Sequence, residues 1–450
     1  MPTSAQVLAK FATELTLSDI PPAVLQRAKD CIIDTVAVAT FGSQFPWSHI
    51  VTDYARRYGS GGVCTIMGSK DLRVHAPYAA LANASFAHAF EQDSTHEPNV
   101  GAHPGTTMLP AVLALAEETQ ADGKTVIAAF VAGCEVLFRI ARTSHRSKNP
   151  PEHLGFHALG LTGPYGVAAA AGRVLGLNAE QLTHALGIAG SLSSGLLAFT
   201  KSKQGGMVKR LHLGRAAESG ILAARLASTG YTGPESVLEG KFGFLEAYCR
   251  GADPAQLTAG LHEDWETLRI IMKRYACHMT AQTPVQSIRE LMAEHRFTGA
   301  DVDSLMVEGA DKIITHNGSK EPGDVAQGQY SVPFCVALAL FRDPDNPKSF
   351  DMSALEDPAI RGLCRRIELR ALPKDENRSE KATRITLRLK NGKELTRDGV
   401  SFKGMLIDPL TGDDLRRKFM TLTADMGKAV SEQWYGRLNN LETQPHFSLA

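Results

Sequence analysis

The sequence predicts a mainly α protein in which a smaller α+β domain is inserted into a large all-helical domain. Three observations support this prediction. The chain has 450 residues, which is more than one ordinary hydrophobic core accommodates. Helical periodicity dominates from about residue 22 to residue 265, strand-like alternation then appears, and the tail returns to helical periodicity. We therefore predict a helical domain of residues 1–266 plus 400–450 and an α+β domain of residues 267–399.

The large domain is predicted to consist of helices that pack closely. Apolar residues recur at helical spacing in 125–141, 164–177, 179–197 and 214–229, and Gly or Pro marks the joins between segments. Alanine and glycine fill many of the predicted buried positions, as in the four alanines at 168–171. No repeat of 20 to 50 residues is visible, which argues against a solenoid.

The smaller domain is predicted from strand patterns. Strand-like segments occur at 303–307 and 365–369. The clearest strand is 383–390, in which threonine, isoleucine and leucine alternate with arginine, threonine and lysine. Asn391-Gly392 follows directly and predicts a type I′ turn that leads into a further strand.

The overall charge excludes some classes of partner. Lys plus Arg total 48 and Asp plus Glu total 48, so no net field exists to hold nucleic acid or an anionic membrane. The chain starts without a leader-like pattern and has no apolar run of membrane-spanning length, so we expect a cytoplasmic protein. The seven cysteines are widely spread and lack C-x-x-C spacing, which argues against a disulfide framework or an iron–sulfur cluster.

Common cofactor and metal motifs are missing from the sequence. Gly-x-Gly-x-x-Gly, the P-loop and Gly-x-Ser-x-Gly do not occur, so we expect no cofactor. One His-x-x-x-His spacing joins His153 to His157, but it lacks the glutamate of a zinc-protease helix. Zinc ligation by that pair, or by His96 and His103 with Glu91 or Asp93, is the alternative. No spacing makes a convincing metal site, and we expect no metal.

Three histidine-bearing segments are candidate anion sites. Residues 88–96 lead into His103-Pro-Gly, a Gly-Phe-His sequence ends at His157, and Lys-Arg-Leu-His occupies 209–212. Each segment is predicted to be a loop that precedes a helix, where backbone N–H groups and the positive end of the helix dipole favour a carboxylate. The structural alternative is that His103 and His157 are turn residues that bond the local backbone.

Two further segments of the smaller domain carry reactive side chains. Residues 273–278 bring Lys, Arg, Tyr, Cys and His together shortly before a helix predicted from the capping-box pattern at 283–286. A solvated basic face is the alternative interpretation of this run. Tyr330 precedes an apolar helix at 334–340, where a core or rim aromatic is the alternative.

These segments, in this order, resemble the MmgE/PrpD family, which contains 2-methylcitrate dehydratase, cis-aconitate decarboxylase and iminodisuccinate epimerase. The resemblance covers nearly the whole chain. It implies a large all-helical domain interrupted by a smaller α+β lid, and a homodimer. Its most specific parts are His-Pro-Gly at 103–105, Leu-Pro-Ala at 109–111, Gly-Phe-His at 155–157, Ala-Leu-Gly-Ile-Ala-Gly-Ser at 185–191, and Lys-Arg-Leu-His with Gly-Arg-Ala-Ala between 209 and 217.

Site residues are carried over from the family by motif. The chain departs from the family in one motif, because the usual Asp-Phe-Asp-Asp-Thr here is Glu-Gln-Asp-Ser-Thr at 91–95. This leaves open which carboxylate of the acidic loop acts. The resemblance implies catalytic roles for His103, His157, Lys209, His278 and Tyr330, and substrate binding by Glu91 or Asp93, Thr95 and Lys273.

The residue types in this set suit proton transfer beside a carboxylate. Lys209 and Lys273 are expected to neutralise substrate carboxylates and the enolate-like charge that develops when a proton leaves. An unperturbed histidine titrates near pH 6.5, so His103 and His157 are expected to act as acid and base, with His157 favoured as the base. Protonation of a leaving hydroxyl would then fall to Tyr330 or to the histidine of the smaller domain.

We therefore expect a cofactor-independent lyase or isomerase that removes a proton alpha to a carboxylate of a small di- or tricarboxylic acid. A 2-methylcitrate dehydratase-like hydro-lyase is the first expectation. An epimerase of an iminodisuccinate-like dicarboxylate and a cis-aconitate-type decarboxylase are the alternatives, because one constellation supports all three outcomes. An inactive helical binding protein is the rival from outside enzymes, since a fold does not determine a function.

Overall fold

The computed structural model describes residues 1–98, 102–201, 206–373 and 379–449. Helices dominate this part of the chain, and none of them is both long and apolar enough to cross a membrane. The α-helices are α1 (Ser4–Glu14), α2 (Pro22–Gly42), α3 (Pro46–Tyr58), α4 (Ala76–Ala87), α5 (Pro104–Thr119), α6 (Gly123–His145), α7 (Ala158–Val174), α8 (Ala179–Ser191), α9 (Val208–Ser228), α10 (Phe244–Tyr248), α11 (Met279–His295), α12 (Lys312–Thr315), α13 (Val325–Tyr330), α14 (Val332–Phe341), α15 (Met352–Glu356), α16 (Pro358–Arg366), α17 (Gly412–Leu422) and α18 (Lys428–Asn439).

The strands form two short ribbons and one larger sheet. Antiparallel pairs join β1 to β2 and β3 to β4, and the other four strands are ordered β6-β5-β7-β8, with β5 and β6 parallel and the remaining neighbours antiparallel. The strands are β1 (Ser60–Thr65), β2 (Arg73–Val74), β3 (Thr95–His96), β4 (Ile270–Ile271), β5 (Val302–Gly309), β6 (Ile367–Ala371), β7 (Thr383–Leu389) and β8 (Glu394–Gly399).

The chain divides into two compact units. The first unit comprises Met1–Ala89, Asp93–Ile271 and Leu415–Ala450, and it contains α1 to α10, both ribbons and α18. The second unit comprises Met272–Asp414 together with the three-residue segment Phe90–Gln92. This short segment is bound within the second unit, where Gln329 Nε2 donates to the Phe90 carbonyl at 3.0 Å.

Helix α7 lies at the centre of the first unit. It contacts α5, α6, α8 and α9, and Arg173 is its only residue that is not buried. Two glycines allow this close packing: a Cβ on Gly166 would lie 2.8 Å from the Cβ of Leu137, and one on Gly163 would lie 2.7 Å from that of Ala216. The small residues read from the sequence therefore hold α7 tightly against α6 and α9.

The sheet of the second unit has one covered face. In β7, residues Thr383, Ile385, Leu387 and Leu389 are buried and Arg384 and Arg388 are exposed, as the alternation predicts. Helices α11, α14 and α16 contact the sheet. On the other face, exposed ion pairs join Arg384 to Asp398 and Arg388 to Asp303.

The turn between β7 and β8 differs from the predicted type I′ turn. Gly392 has a φ of 84°, whereas Asn391 is not among the residues with positive φ that the type I′ turn requires at both central positions. The amide of Gly392 donates to the Leu389 carbonyl and that of Leu389 to the Lys393 carbonyl, each at 2.9 Å. This is a three-residue loop that ends in a left-handed glycine. Glycine is therefore the residue that adopts the left-handed backbone, which is unfavourable for residues with a Cβ.

The predicted fold class is confirmed in its main feature, since the protein is mainly helical with a small sheet. The expectation of an all-helical large domain is wrong, because the first unit contains the ribbons β1–β2 and β3–β4. Strands β2, β3 and β4 have two residues each, too few to show a period in the sequence. The lid arrangement, the homodimer and the cytoplasmic location stay predictions.

Candidate active site

Three of the predicted site histidines stand immediately before helices. His103 precedes α5, His157 precedes α7 and His278 precedes α11. The rings of His103 and His157 do not cap their own helices, so their side chains are not used in the local turn. His278 does cap its helix, because its Nδ1 accepts the backbone N–H of Thr280 at 3.4 Å.

A carboxylate of the first unit lies between His103 and a further imidazole, His88. Oδ2 of Asp93 accepts a hydrogen bond from Nδ1 of His88 at 2.8 Å and lies 2.7 Å from Nδ1 of His103, a contact that lacks hydrogen-bond geometry. Thr106 Oγ1 donates to the same oxygen at 3.1 Å, and Asp93 is only 2% exposed. The negative charge of Asp93 favours a proton on Nδ1 of each ring, which leaves Nε2 as the basic nitrogen.

Neutral imidazoles characterise this cluster. Burial lowers the pKa of His88 to about 4; the Asp93 carboxylate opposes this effect, and the Lys209 ammonium adds a smaller lowering. Burial likewise lowers the pKa of His157 to about 2, and Lys209 is the next cause. At neutral pH both rings are therefore uncharged.

The ammonium of Lys209 lowers the pKa values of both His88 and His157. The expected position of Lys209 in a loop is wrong, since it is the second residue of α9. The helix starts at Val208 because the run 208–228 satisfies helical spacing without a break by Pro, and Gly214 is tolerated inside it. A lysine in the first turn brings a fixed positive charge to the group of histidines.

The second unit holds its own cluster around the other acidic residue. Lys273 Nζ donates to Glu91 Oε2 at 3.2 Å, and Tyr330 donates its hydroxyl proton to Glu91 Oε1 at 2.9 Å. The ring of His278 lies 4.9 Å from that of Tyr330. Lys273 is 2% exposed and Glu91 is 8% exposed, so this is a buried ion pair. Glu91 has a left-handed φ of 53°, which is uncommon outside glycine and is typical of functional positions.

The two acidic residues of the loop therefore serve different clusters. Asp93 orients imidazoles in the first unit, whereas Glu91 binds an ammonium and a phenol in the second. Thr95 lies in β3 and is buried, and its hydroxyl donates to the Ala102 carbonyl at 3.2 Å. The hydroxyl of Thr95 thus holds the backbone at Ala102, directly before His103.

A separate cavity of about 890 Å³ in the first unit contains none of the predicted site residues. It is lined by α1, the start of α8 and residues 258–263, with Lys10, Glu14 and Glu180 among its side chains. It has no paired imidazoles, so the candidate site remains the histidine cluster.

Comparison with known proteins agrees with this geometry. The chain matches the MmgE/PrpD N-terminal domain over residues 6–257 and the MmgE/PrpD C-terminal domain over residues 275–435. The chain belongs to the MmgE/PrpD family. The family resemblance read from the motifs is therefore confirmed.

The relatives of this MmgE/PrpD protein include named decarboxylases. It is 29% identical to a cis-aconitate decarboxylase of Aspergillus terreus over 93% of this chain and 89% of that protein. It is 28% identical to the cis-aconitate decarboxylase of Homo sapiens, over 93% and 88%, and 26% identical to that of Mus musculus, over 92% and 85%. The protein is accordingly an enzyme, a lyase that acts on carboxylic acids, and not an inactive binding protein.

Two histidines of this MmgE/PrpD site have no role predicted from the sequence. His88 bonds Asp93, and His212 lies with its Nδ1 2.8 Å from Nδ1 of His157. Both lie in the histidine-bearing segments that the sequence indicates as candidate anion sites. The spacing from Lys209 to His212, three residues on a helix, is the signal that would have placed both on one face.

Metal binding is the alternative use of the Asp93 cluster. His88, Asp93 and His103 are able to present three ligand atoms within 4.8 Å of one another. Two ligands about 2.0–2.1 Å from a tetrahedral zinc would lie about 3.3 Å apart. The observed N···O separations of 2.7 and 2.8 Å are shorter than this, and the contact of His88 with Asp93 is a hydrogen bond. The geometry therefore favours a carboxylate that contacts two imidazoles directly.

Chelation is expected to leave activity unchanged. Because the Asp93 cluster is held by hydrogen bonds, dialysis against EDTA should alter the turnover number by less than twofold. The measurement is activity before and after chelation, with elemental analysis of the same sample. Stoichiometric zinc that is lost together with activity would contradict the expectation.

Acid is expected to destabilise the protein through its buried histidines. The pKa values of His88 and His157 lie below the unfolded value near 6.5 because of burial. Below pH 6.5 the unfolded chain then binds more protons than the folded one, so stability is lost as the pH falls from 7 to 5. Each ring lowers the free energy of unfolding by about 2 kcal/mol at pH 5.

The check is the melting temperature at pH 5 and pH 7 in wild type and in His157→Gln. The variant should lose a smaller part of its stability on acidification, because one of the contributing rings is gone. The exposed His145, replaced in His145→Gln, is the matched control and should titrate like wild type. An equal loss in His157→Gln and wild type would show that His157 is not neutral in the folded state.

Proposed function

We propose that this protein decarboxylates an unsaturated tricarboxylate of the cis-aconitate class. The observation that supports this most directly is the neutral ring of His157, whose pKa is lowered by burial and by the ammonium of Lys209. A ring of this kind exchanges a proton with a substrate carbon, and a lysine next to it stabilises the negative charge on that carbon. The names of the relatives from Aspergillus terreus and Homo sapiens supply the substrate class.

The reaction has simple requirements. The bond between a CH₂ carbon and its carboxylate breaks, and CO₂ leaves. The electron pair moves through the double bond to the carbon beside a second carboxylate, and that carbon takes one proton. A tricarboxylate and one proton thus give a dicarboxylate and CO₂. The enzyme must bind several negative charges, stabilise the delocalised pair and deliver a proton.

The residues of the first unit supply these needs. Lys209 is assigned to a substrate carboxylate and to the developing charge, in keeping with its electrostatic influence on His88 and His157. His157 and His103 are assigned to proton transfer at carbon. Asp93 holds His103 in the tautomer whose Nε2 is basic.

The residues of the second unit keep the roles implied by the family. Lys273 is assigned to carboxylate binding, with Glu91 as its partner in the absence of substrate. Tyr330 and His278 are assigned to proton donation. Nδ1 of His278 accepts an N–H, so a neutral ring carries its proton on Nε2 and is able to donate it.

The first expectation from the sequence, a 2-methylcitrate dehydratase-like hydro-lyase, is replaced by decarboxylation. The named relatives given above are cis-aconitate decarboxylases, and no feature of the two clusters points specifically to loss of water. Epimerisation likewise lacks a specific observation. Both reactions serve as arms of the test.

The test is product analysis by NMR in deuterated water. The enzyme is incubated separately with cis-aconitate, 2-methylcitrate and a saturated dicarboxylate. We expect CO₂ and an unsaturated dicarboxylate with one deuterium from cis-aconitate, and no turnover of the other two. His145→Gln, an exposed histidine at the end of α6, should retain wild-type activity. Dehydration of 2-methylcitrate without decarboxylation of cis-aconitate would overturn the proposal.

A further inference from the structure

The ring of His157 is bonded to a second imidazole. Nδ1 of His157 lies 2.8 Å from Nδ1 of His212, and the ring centroids are 5.0 Å apart. Two Nδ1 atoms at this distance share a single proton, because a proton on each would repel and a proton on neither would leave two lone pairs facing each other. The state of one ring therefore determines the state of the other.

The fold builds this pair with little freedom. His157 stands directly before α7 and His212 lies in the second turn of α9, and these two helices pack against each other. The Gly195 carbonyl accepts the backbone N–H of His157 at 3.1 Å. A Cβ on Gly195, whose φ is 132°, would lie 3.3 Å from Nδ1 of His212. Phe199 is edge-on to both rings, with centroids 5.4 and 5.8 Å away.

The environments of the two rings differ. Burial lowers the pKa of His157, and the positive Lys209 and the neighbouring His88, His212 and His103 lower it further. His212 is half-buried, and burial alone lowers its pKa. A positive charge is therefore less unfavourable on His212 than on His157.

We propose that His212 is a positioning residue that holds the proton which His157 delivers to the substrate carbon. This inference rests on the proposed decarboxylation, which consumes one proton in each turnover. It also explains how a ring that stays neutral is able to act as an acid.

The proton moves in two balanced steps. When both rings are neutral, His157 carries its proton on Nδ1 and donates a hydrogen bond to Nδ1 of His212, whose own proton is on Nε2. When Nε2 of His157 takes a proton from solvent, the Nδ1–H bond of His157 breaks and an Nδ1–H bond forms on His212. His157 is again neutral and His212 carries the positive charge.

Delivery to the substrate reverses these movements. The Nε2–H bond of His157 breaks as a C–H bond forms at the carbanionic carbon, and the Nδ1 proton of His212 returns to His157. Both rings end neutral, in the tautomers from which they began. No oxidant, reductant or additional reactant is needed.

The first experiment replaces His212 by asparagine, whose side-chain amide is able to bond Nδ1 of His157 but does not take up a proton at neutral pH. We expect kcat for cis-aconitate decarboxylation to fall by about 10²-fold while KM stays within a few-fold. Imidazole buffer should restore turnover in proportion to the concentration of its protonated form. The control variant His145→Gln should have the wild-type kcat, both with and without imidazole buffer.

Two results of this experiment would overturn the inference. A kcat of His212→Asn within twofold of wild type would show that hydrogen bonding alone suffices. A loss of kcat that imidazole does not restore, in a folded variant, would show that His212 only shapes the site. If wild type decarboxylates no tricarboxylate, the proposed function fails instead, and this outcome is distinguishable because it precedes any comparison of variants.

A second measurement does not depend on a variant or on turnover. Nitrogen-15 NMR of histidine-labelled wild type should show a shared proton between the two Nδ1 atoms. On acidification the imidazolium signal should develop on His212 and not on His157. Development of that signal on His157 first, or two rings both protonated only on Nε2, would overturn the inference.

Discussion

Replacement of His157 by glutamine is expected to lower kcat for decarboxylation by about 10²–10⁴-fold, which is the usual contribution of a positioned general acid or base. The imidazole is neutral because burial and Lys209 lower its pKa to about 2, so it contributes little to attraction of an anionic substrate. KM should therefore change only a few-fold. Glutamine retains a polar side chain of similar length, which limits the disturbance where α7 begins.

The measurement is steady-state kinetics together with deuterium incorporation into the product. His145→Gln serves as the control for the loss of a histidine from the surface. If His157→Gln turns over and incorporates deuterium at the wild-type rate, His157 is a structural residue. The proton-transfer role then passes to His103, whose ring is oriented by Asp93.

The elements that carry the site were predictable from local patterns, and the partners of its side chains were not. The positions of His103 and His157 before helices follow from Pro, Gly and small residues next to apolar runs, which are signals within a few residues of each histidine. The contact of His157 with His212 joins residues 55 positions apart in the sequence. Such a contact depends on how α7 packs on α9, and periodicity does not report packing partners.

The predicted helix starts show the same limit. The capping-box pattern at 283–286 suggested a helix start, but α11 begins at Met279 and contains Pro284. His278 supplies the cap instead, since its Nδ1 accepts the N–H of Thr280. A capping signal identifies a residue able to cap a helix, and tertiary packing decides which of several candidates does so.

The roles of Glu91 and Asp93 could not be separated by sequence. Both residues lie in one five-residue motif, in which Asp93 keeps the family residue and Glu91 replaces an aspartate by another acid. In the structure Glu91 takes a left-handed backbone conformation and bonds Lys273, whereas Asp93 bonds His88 and contacts His103. The left-handed backbone at Glu91 directs the two acidic side chains to different partners. The residue types of the motif do not predict this conformation.

Asp93→Asn is expected to lower kcat by about 10²–10⁴-fold with little change in KM, because it disturbs the tautomers of two imidazoles at once. Oδ2 of Asp93 accepts from Nδ1 of His88 and from Thr106 Oγ1, and it lies 2.7 Å from Nδ1 of His103. Where the amide nitrogen of asparagine takes the place of Oδ2, it donates instead of accepting, and the facing rings have to move their protons to Nε2. Loss of a carboxylate that fixes an imidazole tautomer costs about 10⁴-fold in the serine protease triad, which sets the upper end of this range.

The shape of the side chain is nearly unchanged in Asp93→Asn, so the fold should be retained and a melting curve should confirm it. Asp93→Glu provides the second arm: it keeps the charge but moves the oxygen by one methylene, and it should recover part of the activity if the acceptor is what matters. Nitrogen-15 NMR should show His103 with its proton on Nδ1 in wild type and on Nε2 in Asp93→Asn. A site that depends on a basic Nε2 is inactive when that atom carries a proton. If Asp93→Asn retains the wild-type kcat, neither Asp93 nor the tautomer of His103 takes part in the mechanism.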